Sequence, residues 1–457
     1  MSFDDTIAAI ATAPGRGGIA IIRVSGNKAL EVAAKIAHLE NIKPRLAYFR
    51  KFYDGENPVD EGLVLYLKGP NSYTGEDTIE FQGHGGNIVP QQVLSAVLAI
   101  DGVRQAEPGE FTRRAFLNGK IDLTKAEAVE DLISAGSNSA AKAALASLDG
   151  EFAKYLHNLT ELLTNFRVRI EACLDFPEEH EDFFDSGKAE NNLIEIKNIA
   201  NEALSLAGQG VKLNEGARIV LAGSPNAGKS SLLNALAGSD KAIVTNIPGT
   251  TRDTLTINIE VEGIPVTITD TAGIRDVPGD EIEAIGINKA IDELKRSDLV
   301  LLMIDSSMEA PEAKNTLDKI ISLSGDNRNI LIVKSKTDLL PNSSTEQLLN
   351  SEDFICYKQV NCSTKIKDGT SDLYTALVEA LGIIPAEGAF SARRRHTNEL
   401  NETIEAIDRA IDMLKFGDLV LCARELSISQ NHLGMITGKV TSDDLLGKIF
   451  STFCIGK

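Results

Sequence analysis

The sequence predicts a multidomain α/β protein, in which a mostly parallel sheet with helices is inserted into an α-helical domain that follows a smaller N-terminal α+β domain. Three observations predict this fold class. The 457 residues are enough for about two to four domains. Apolar β runs alternate with helical stretches over residues 216–383, and strand patterns are missing from 120–215. We expect an α+β domain over 1–118, a helical domain over 119–215 and 384–457, and the inserted domain over 216–383.

The first 118 residues mix short β-rich runs with glycine and proline breaks and short helical stretches. The β-rich runs cover residues 18–24, 63–67 and 78–81. This combination is typical of a compact α+β unit.

Two segments show the spacing of amphipathic helices, with apolar residues at steps of three and four. The first set is Leu156, Leu159, Leu163, Phe166, Ile170 and Cys173, and the second is Leu400, Ile404, Ile407, Ile411 and Leu414. Each apolar stripe must be covered, and the simplest cover is the other segment. Burial against the N-terminal domain or a second subunit is the alternative.

The stretch between these segments alternates apolar β runs with helical patterns. The runs are 219–222, 299–304 and 330–333. Strands separated by helices are typical of a parallel sheet wrapped by helices.

Charge and cysteine content limit the classes of partner and compartment. Asp and Glu number 66 against 46 Lys and Arg, which gives a formal net charge of −20, so any nucleic acid must find a local basic patch. The five cysteines are scattered without metal-ligand spacing, and we expect Cys173, Cys356, Cys362 and Cys422 in the core. With no apolar stretch near 20 residues and no signal-peptide pattern, we expect a cytoplasmic protein without membrane contact.

A phosphate-binding loop is the strongest motif in the chain. Residues 223–230 read GSPNAGKS, after a β run and before a helical stretch, which is the context that a P-loop requires. Glycines let backbone N–H groups turn toward phosphates, Lys229 reaches the terminal phosphates, and the Ser230 hydroxyl ligates Mg²⁺. An ordinary glycine-rich turn would not need the Lys-Ser pair at this spacing.

Further motifs predict a guanine-nucleotide switch. Asp270, at the end of a β run, places a carboxylate near the metal, and Thr251 can complete the Mg²⁺ shell only while the γ-phosphate is present. Asp338 can accept from guanine N1–H and N2–H₂, which adenine lacks. The usual first residue of that motif is Asn, and this chain has Ser335, which leaves anchoring of the base loop in question. Residues 363–365 fit the last base-side loop.

The residue that orients the attacking water is less clear from the sequence. Ile274 stands where Ras-like enzymes hold a glutamine, so another group must act. Glu283 begins a helical pattern shortly afterwards and is the candidate, although a solvated acid at a helix start is the more ordinary interpretation.

Three segments in different regions resemble one family, the bacterial tRNA uridine-5-carboxymethylaminomethyl modification GTPases MnmE (TrmE). They are AIVTNIPGTTRD at 242–253, EFTRRAFLNGKIDLTKAEAVEDLI at 110–133, and FCIGK at 453–457. The resemblance covers essentially the whole chain. It implies an N-terminal tetrahydrofolate-binding domain, a helical domain made of two segments, and an inserted G domain.

The resemblance also implies an activity and partners. Members hydrolyse GTP with K⁺ as activator, and modify C5 of the wobble uridine of certain tRNAs using a tetrahydrofolate one-carbon unit. They act as homodimers with an FAD-containing MnmG-type partner, forming a heterotetramer. The implied K⁺ ligands are Asn226, Thr245, Ile247 and Thr250, and Glu283 is the implied water-positioning acid. K⁺ held against the phosphates provides the positive charge that an arginine finger supplies elsewhere.

Motifs and resemblance together predict the site residues. The catalytic candidates are Lys229, Glu283 and Cys454, and the Mg²⁺ ligands are Ser230 and Thr251. The GTP-binding residues are Asn226, Ala227, Gly228, Lys229, Ser230, Ser231, Thr245, Asn246, Ile247, Pro248, Gly249, Thr250, Thr251, Asp270, Thr271, Ala272, Gly273, Ser335, Lys336, Thr337, Asp338, Ser363, Thr364 and Lys365. The tetrahydrofolate ligands implied by the family are Arg23, Glu80, Lys120 and Lys457.

Three questions stay open at the level of the sequence. Cys454 either takes part in one-carbon transfer or packs. The basic patches Arg113–Arg114 and 393–396 are either tRNA contacts or solvated helix faces. A ribosome-assembly switch of the Era or Der kind is the alternative function, although no GxxG loop with a flanking basic strand, as in a KH module, is visible.

Overall fold

The computed structural model describes residues 5–176, 188–224, 226–238, 256–270, 291–324, 329–339, 343–366, 369–382 and 390–456. The chain forms two compact units. The first comprises Met1–Glu130, Ser147–Asn201 and Asn398–Lys457, and the second comprises Asp131–Ala146 and Glu202–Thr397. The division into three domains with the boundaries given above stays a prediction.

The described elements are numbered in chain order. The strands are β1 Thr6–Ile10, β2 Ile19–Ser25, β3 Ala47–Asp54, β4 Asn57–Leu67, β5 Thr78–His84, β6 Val103–Gln105, β7 Ala217–Gly223, β8 Thr256–Val261, β9 Ile264–Asp270, β10 Leu299–Asp305, β11 Ile330–Ser335 and β12 Lys358–Asn361. The helices are α1 Ala29–Ala37, α2 Val89–Leu98, α3 Glu110–Leu117, α4 Leu123–Ser134, α5 Asn138–Asp149, α6 Glu151–Asp175, α7 Lys188–Glu215, α8 Lys229–Ala237, α9 Ala310–Ser324, α10 Ser343–Leu349, α11 Glu352–Ile355, α12 Ser371–Ala380, α13 Arg394–Lys415, α14 Leu419–Thr437 and α15 Asp443–Ser451.

The first unit contains a six-stranded sheet of order β3-β4-β5-β2-β1-β6. Neighbouring strands are antiparallel except for the parallel pair β1–β6. One face packs against α1 and α2, so alternate residues of β2 and β5, such as Ile22, Val24 and Phe81, enter the core. The predicted β runs in this region correspond to β2, β4 and β5.

Two long helices in the first unit cover each other. The predicted apolar stripe of α6, from Leu156 to Cys173, is buried throughout. Helix α14 packs against α6, where the Gln430 side chain accepts from Arg167 and donates to the Thr164 hydroxyl at 2.7 Å. A helix of the second segment therefore covers the α6 stripe, but it is α14 and not α13, the helix that carries the predicted stripe from Leu400 to Leu414.

The second unit contains a six-stranded sheet of order β12-β11-β10-β7-β9-β8. All pairs are parallel except β8–β9. Residues 299–304 of the central strand β10 are all buried, because helices cover both faces of a parallel sheet. The multidomain α/β fold class is therefore confirmed, and the carboxyl ends of β7, β9, β10, β11 and β12 meet at one edge.

The cysteine prediction is partly wrong. Cys173, Cys362 and Cys422 are buried as expected, and burial raises the pKa of each thiol. Cys356 is exposed, because it caps the carboxyl end of the four-residue helix α11 at the surface. Among the described helices, none is both long and apolar enough to span a membrane.

Candidate functional site

The phosphate-binding loop joins β7 to α8 and depends on backbone conformations that few side chains tolerate. Gly228, at the N-terminus of α8, has φ of +94°, and Asn226 has φ of +66°. A Cβ atom at Gly223, where φ is +146°, would lie 2.5 Å from the Met303 carbonyl oxygen. Glycine at 223 therefore lets the loop approach β10 closely. The loop then leads directly into the N-terminus of α8, where backbone N–H groups are free to bind an anion.

Lys229 lies across this loop. Its ammonium group donates to the carbonyl oxygens of Gly223 at 2.9 Å and Ser224 at 3.0 Å, and the residue is only 8% exposed. Burial lowers its pKa, and the nearby Asp270 carboxylate opposes this shift only in part. The ammonium is thus held at the loop with little solvent, ready for a phosphate.

The residues expected to hold Mg²⁺ fit that ion where they are described. Asp270, at the end of β9, is 4% exposed, and burial raises the pKa of its carboxyl group against the effect of Lys229. Its Oδ1 atom is buried and makes no hydrogen bond to any described group. Ser230 is exposed in the first turn of α8. An unpaired carboxylate oxygen and an accessible hydroxyl are oxygen ligands of the kind that Mg²⁺ prefers, directly or through water.

The base-side loops converge at the ends of β11 and β12. The Ser363 hydroxyl donates to Asp338 Oδ1 at 2.7 Å, and the Lys365 ammonium lies 3.8 Å from Asp338 Oδ2. The Ser363 hydrogen bond lowers the pKa of Asp338 despite slight desolvation, so this carboxylate stays ionised as a hydrogen-bond acceptor. The loop closes because the Ser363 N–H donates to the Gly369 carbonyl at 3.1 Å.

Ser335 does anchor the base loop. It is 4% exposed, and its hydroxyl lies 2.7 Å from the Ala227 carbonyl oxygen of the phosphate-binding loop and 3.3 Å from that of Ile304. Residue 336 has a left-handed backbone, with φ of +57°, and the Lys336 ammonium lies 2.7 Å from Asp305 Oδ2. The sequence analysis did not identify Asp305 as the partner of Lys336. Its position as the last residue of β10, at the same sheet edge, could have indicated this role.

Several predicted residues lie outside the described ranges. These are Thr245, Asn246, Ile247, Pro248, Gly249, Thr250, Thr251, Thr271, Ala272, Gly273, Glu283 and Lys457. The structure thus places the phosphate-binding loop, Asp270 and the two base-side loops together, and it does not test the switch residues or the water-positioning acid.

In the first unit, Arg23 and Glu80 form a cross-strand pair on β2 and β5. Arg23 Nη2 lies 2.9 Å from Glu80 Oε1, and the Gln82 amide donates to the other carboxylate oxygen at 3.2 Å. The guanidinium also lies over the rings of Tyr73 and Phe111, at 5.9 and 5.7 Å from their centroids. The aromatic residues were missed because nothing in their local sequence marks them.

Lys120 and Cys454 are not brought to this pair. The Lys120 ammonium instead donates to the Pro70 carbonyl at 2.8 Å. Cys454 is exposed and lines a cavity of about 650 Å³, next to Ile455 and the turns at Gly15 and Gly85. Neither Arg23, Glu80 nor Lys120 contributes to the wall of that cavity.

The two interpretations of the basic patches fail for several residues. Arg114 is fully buried, where its guanidinium pairs with Asp5, Glu76 and Glu110. His396 is buried, and Arg393 is paired with Asp131 at 2.7 Å. Arg114 and Arg393 are neither free tRNA contacts nor solvated, because carboxylates neutralise them, all distant in sequence except Glu110, which lies one turn earlier on α3.

A phosphate-binding loop, a carboxylate at the metal position and an ionised aspartate at the base position define a GTP-binding protein of the P-loop class. Family models identify the family. The model of the MnmE helical domain matches residues 123–454, and the model of the GTP-binding protein TrmE N-terminus matches residues 6–120. The chain belongs to the MnmE (TrmE) family.

Relatives of nearly equal length agree with this. The tRNA modification GTPase MnmE of Marinomonas sp. (strain MWYL1) is 46% identical, over 99% of this chain and 98% of its own. Those of Haemophilus influenzae (strain PittGG) and Mannheimia succiniciproducens are also 46% identical, over 99% and 100% of this chain and 100% of their own. The G domain of the T. maritima FeoB iron transporter is 24% identical over 36% of this chain and 98% of its own, with a TM-score of 0.28, a similarity too limited to add to the assignment.

Proposed function

We propose that this protein is the GTP-hydrolysing component of a tRNA modification reaction at C5 of the wobble uridine. The observation that carries the proposal is the convergence of the phosphate-binding loop, Asp270 and Asp338 at one sheet edge, in a chain of the MnmE family. Family membership favours this function over an Era-like or Der-like ribosome-assembly switch.

Different residues would bind the phosphates, the base and the metal ion of GTP. Lys229, held 2.9 Å from the Gly223 carbonyl, exchanges that acceptor for phosphate oxygens. Asp338 accepts from the two guanine donors and rejects adenine, which would leave its carboxylate unpaired. Ser230 and Thr251 would hold Mg²⁺, with Asp270 beside them; when bound, this ion neutralises charge on the β- and γ-phosphates.

Hydrolysis further requires the residues around the switch. Asn226, Thr245, Ile247 and Thr250 would hold K⁺, and the exposed Asn226 side chain is compatible with that role. Glu283 would position the attacking water. These assignments rest on the family resemblance.

The remaining proposals concern the first unit and the partners. Arg23, Glu80, Lys120 and Lys457 would bind a tetrahydrofolate derivative, and Cys454 would take part in one-carbon transfer. The protein would act as a homodimer in the cytoplasm, with an FAD-dependent MnmG-type partner in a heterotetramer. The Arg23–Glu80 pair supports the folate site, because a carboxylate flanked by a stacked guanidinium suits the amidine edge of a pterin.

The experiment that tests the function compares tRNA nucleosides by mass spectrometry from cells with and without the gene. Loss of the C5-modified wobble uridine, restored by the wild-type gene but not by Asp270→Ala, is the expected result. Unchanged nucleosides together with altered ribosome assembly would favour the alternative switch.

A further inference from the structure

Ser335 ends β11 and has one hydrogen-bond donor on its side chain. That hydroxyl is buried between two carbonyl oxygens, Ala227 at 2.7 Å and Ile304 at 3.3 Å. The shorter contact joins the start of the base loop to the phosphate-binding loop, 108 residues earlier in the chain. The single donor is therefore committed within the protein before any nucleotide binds.

The backbone around Ser335 leaves it little freedom to turn. Its carbonyl oxygen accepts from the Ser306 hydroxyl at 2.8 Å and from the Ser306 N–H at 3.1 Å. The next residue, Lys336, is tied to Asp305 at 2.7 Å. Turning the hydroxyl toward a ligand would leave the buried Ala227 carbonyl without this donor, which is unfavourable.

Asparagine at this position would behave differently. Its side-chain amide carries two N–H donors, so one can satisfy the Ala227 carbonyl while the second is directed at an acceptor on the purine. Serine has no second donor. The difference concerns the imidazole side of guanine, where N7 is an acceptor, and not the edge with N1–H and N2–H₂ that Asp338 recognises.

We propose that Ser335 is a positioning residue that uses its only donor to fix the phosphate-binding loop to the base loop, so that residue 335 does not read N7 and guanine is selected through Asp338. This inference rests on the proposed function in that it takes guanine nucleotide as the ligand. Base recognition in this chain would then differ from that of a protein with asparagine at position 335, which could also donate a hydrogen bond to N7.

The test measures dissociation constants of the full-length protein for GDP and 7-deaza-GDP, in which N7 is replaced by C–H. The wild-type protein should bind both within about 2-fold, whereas a protein that donates a hydrogen bond to N7 should prefer GDP by about 3- to 10-fold. A preference of that size in the wild type would overturn the inference. Failure to bind GDP at all would overturn the proposed function, and the inference with it.

Variants separate positioning from base reading. Ser335→Asn should acquire a preference for GDP over 7-deaza-GDP, since it adds a donor. Ser335→Ala should weaken both nucleotides equally, by about 10-fold, because the Ala227 carbonyl loses its partner, and Ser335→Thr should restore both. Unchanged affinity in Ser335→Ala, or a loss confined to GDP, would contradict the assigned role. Asp338→Asn is the matched control: it should weaken GDP strongly without creating discrimination at N7.

Discussion

The nucleotide site and the Arg23–Glu80 site differ in how their charges are balanced before a ligand arrives. Lys229 and Asp270 are both buried, and burial shifts the pKa of each toward the neutral form, downward for Lys229 and upward for Asp270. Arg23 and Glu80 instead face each other at 2.9 Å, with Gln82 on the second carboxylate oxygen. The nucleotide site thus holds two buried groups whose charged forms are disfavoured by burial, and the other site holds an ion pair.

This difference predicts that the charged groups contribute more to ligand affinity at the nucleotide site than at the Arg23–Glu80 site. A nucleotide with its metal supplies the anionic and cationic partners that Lys229 and Asp270 lack, so binding should be strong and should stabilise the second unit. A folate bound there as proposed would compete with Arg23 for the Glu80 carboxylate, so part of the interaction energy would be spent on breaking an existing pair. We therefore expect removal of a charge to have a larger effect at the first site than at the second.

The largest effect should come from Lys229→Met. Methionine cannot make the two charge-assisted hydrogen bonds that the Lys229 ammonium donates to phosphate. Their loss, at about 2 kcal/mol each, should weaken GTP binding about 1,000-fold. The thermal stability of the nucleotide-free protein should change little, because relief of the desolvation of the buried ammonium offsets the loss of its hydrogen bonds to the Gly223 and Ser224 carbonyls. Titration with a fluorescent GTP analogue and thermal unfolding measure the two quantities.

Lys212→Met is the matched control for that variant. The Lys212 ammonium also donates to a backbone carbonyl, that of Leu381 at 2.5 Å, and burial also lowers its pKa. It lies outside the phosphate-binding loop, so GTP affinity should stay within about 2-fold. Equal losses in both variants would mean that Lys229 acts on stability and not on the phosphates.

The two sites also differ in what the sequence could predict. The phosphate-binding loop is contiguous, and its strand and helix context is readable along the chain, so its residues were found. Arg23 and Glu80 are 57 residues apart, and only the pairing of β2 with β5 brings them together. Without the resemblance to a family, nothing in the chain would have marked them.

The failures of prediction have the same physical origin. Arg114 was expected at the surface because arginine is usually exposed. It is buried, since Asp5 and Glu76 reach it from distant segments and Glu110 lies one turn earlier on α3. The role of Ser335 depends on the approach of two strand ends, which the order of residues alone does not reveal. Properties set by long-range pairing require the structure.

An intermediate effect is expected at the second site from Glu80→Gln. Loss of the carboxylate should weaken binding of 5-formyl-tetrahydrofolate by about 10-fold, because a charge-assisted contact becomes a neutral one while Arg23 is released from its pair. GTP affinity should not change. Isothermal titration of the full-length protein with the folate measures the effect.

Glu31→Gln is the control within the same unit. Glu31 pairs with Lys35 at 2.8 Å on α1, and both side chains are exposed. Folate binding should be indistinguishable from the wild type. If Glu80→Gln bound the folate as tightly as Glu31→Gln does, the pterin would not contact Glu80, and the site would have to be sought elsewhere, beginning with the cavity beside Cys454.

The smallest effect concerns the pH dependence of base recognition. The Ser363 hydroxyl is the main cause of the lowered pKa of Asp338, so Ser363→Ala should raise that pKa toward its ordinary value. At pH 7 the carboxylate is ionised in both proteins, and loss of the orienting hydroxyl should weaken GDP by only about 2- to 5-fold. As the pH falls toward 4, the variant should become protonated first, and the ratio of its dissociation constant to that of the wild type should rise.

The sign follows from linkage, because a carboxylate with a lowered pKa retains its charge, and hence its guanine contacts, to lower pH. Because the nucleotide is the same for both proteins, titration of its phosphates cancels in this ratio. Omitting Mg²⁺ removes the metal ligands from the comparison. Ser322→Ala removes an exposed hydroxyl on α9 that donates to the Lys319 carbonyl at 2.8 Å, and its ratio should stay flat with pH. A flat ratio for Ser363→Ala as well would show that the charge of Asp338 does not depend on this hydroxyl. The contrast between groups whose pKa is set by burial and groups whose pKa is set by a hydrogen-bonded partner would then not extend to the base-side loops.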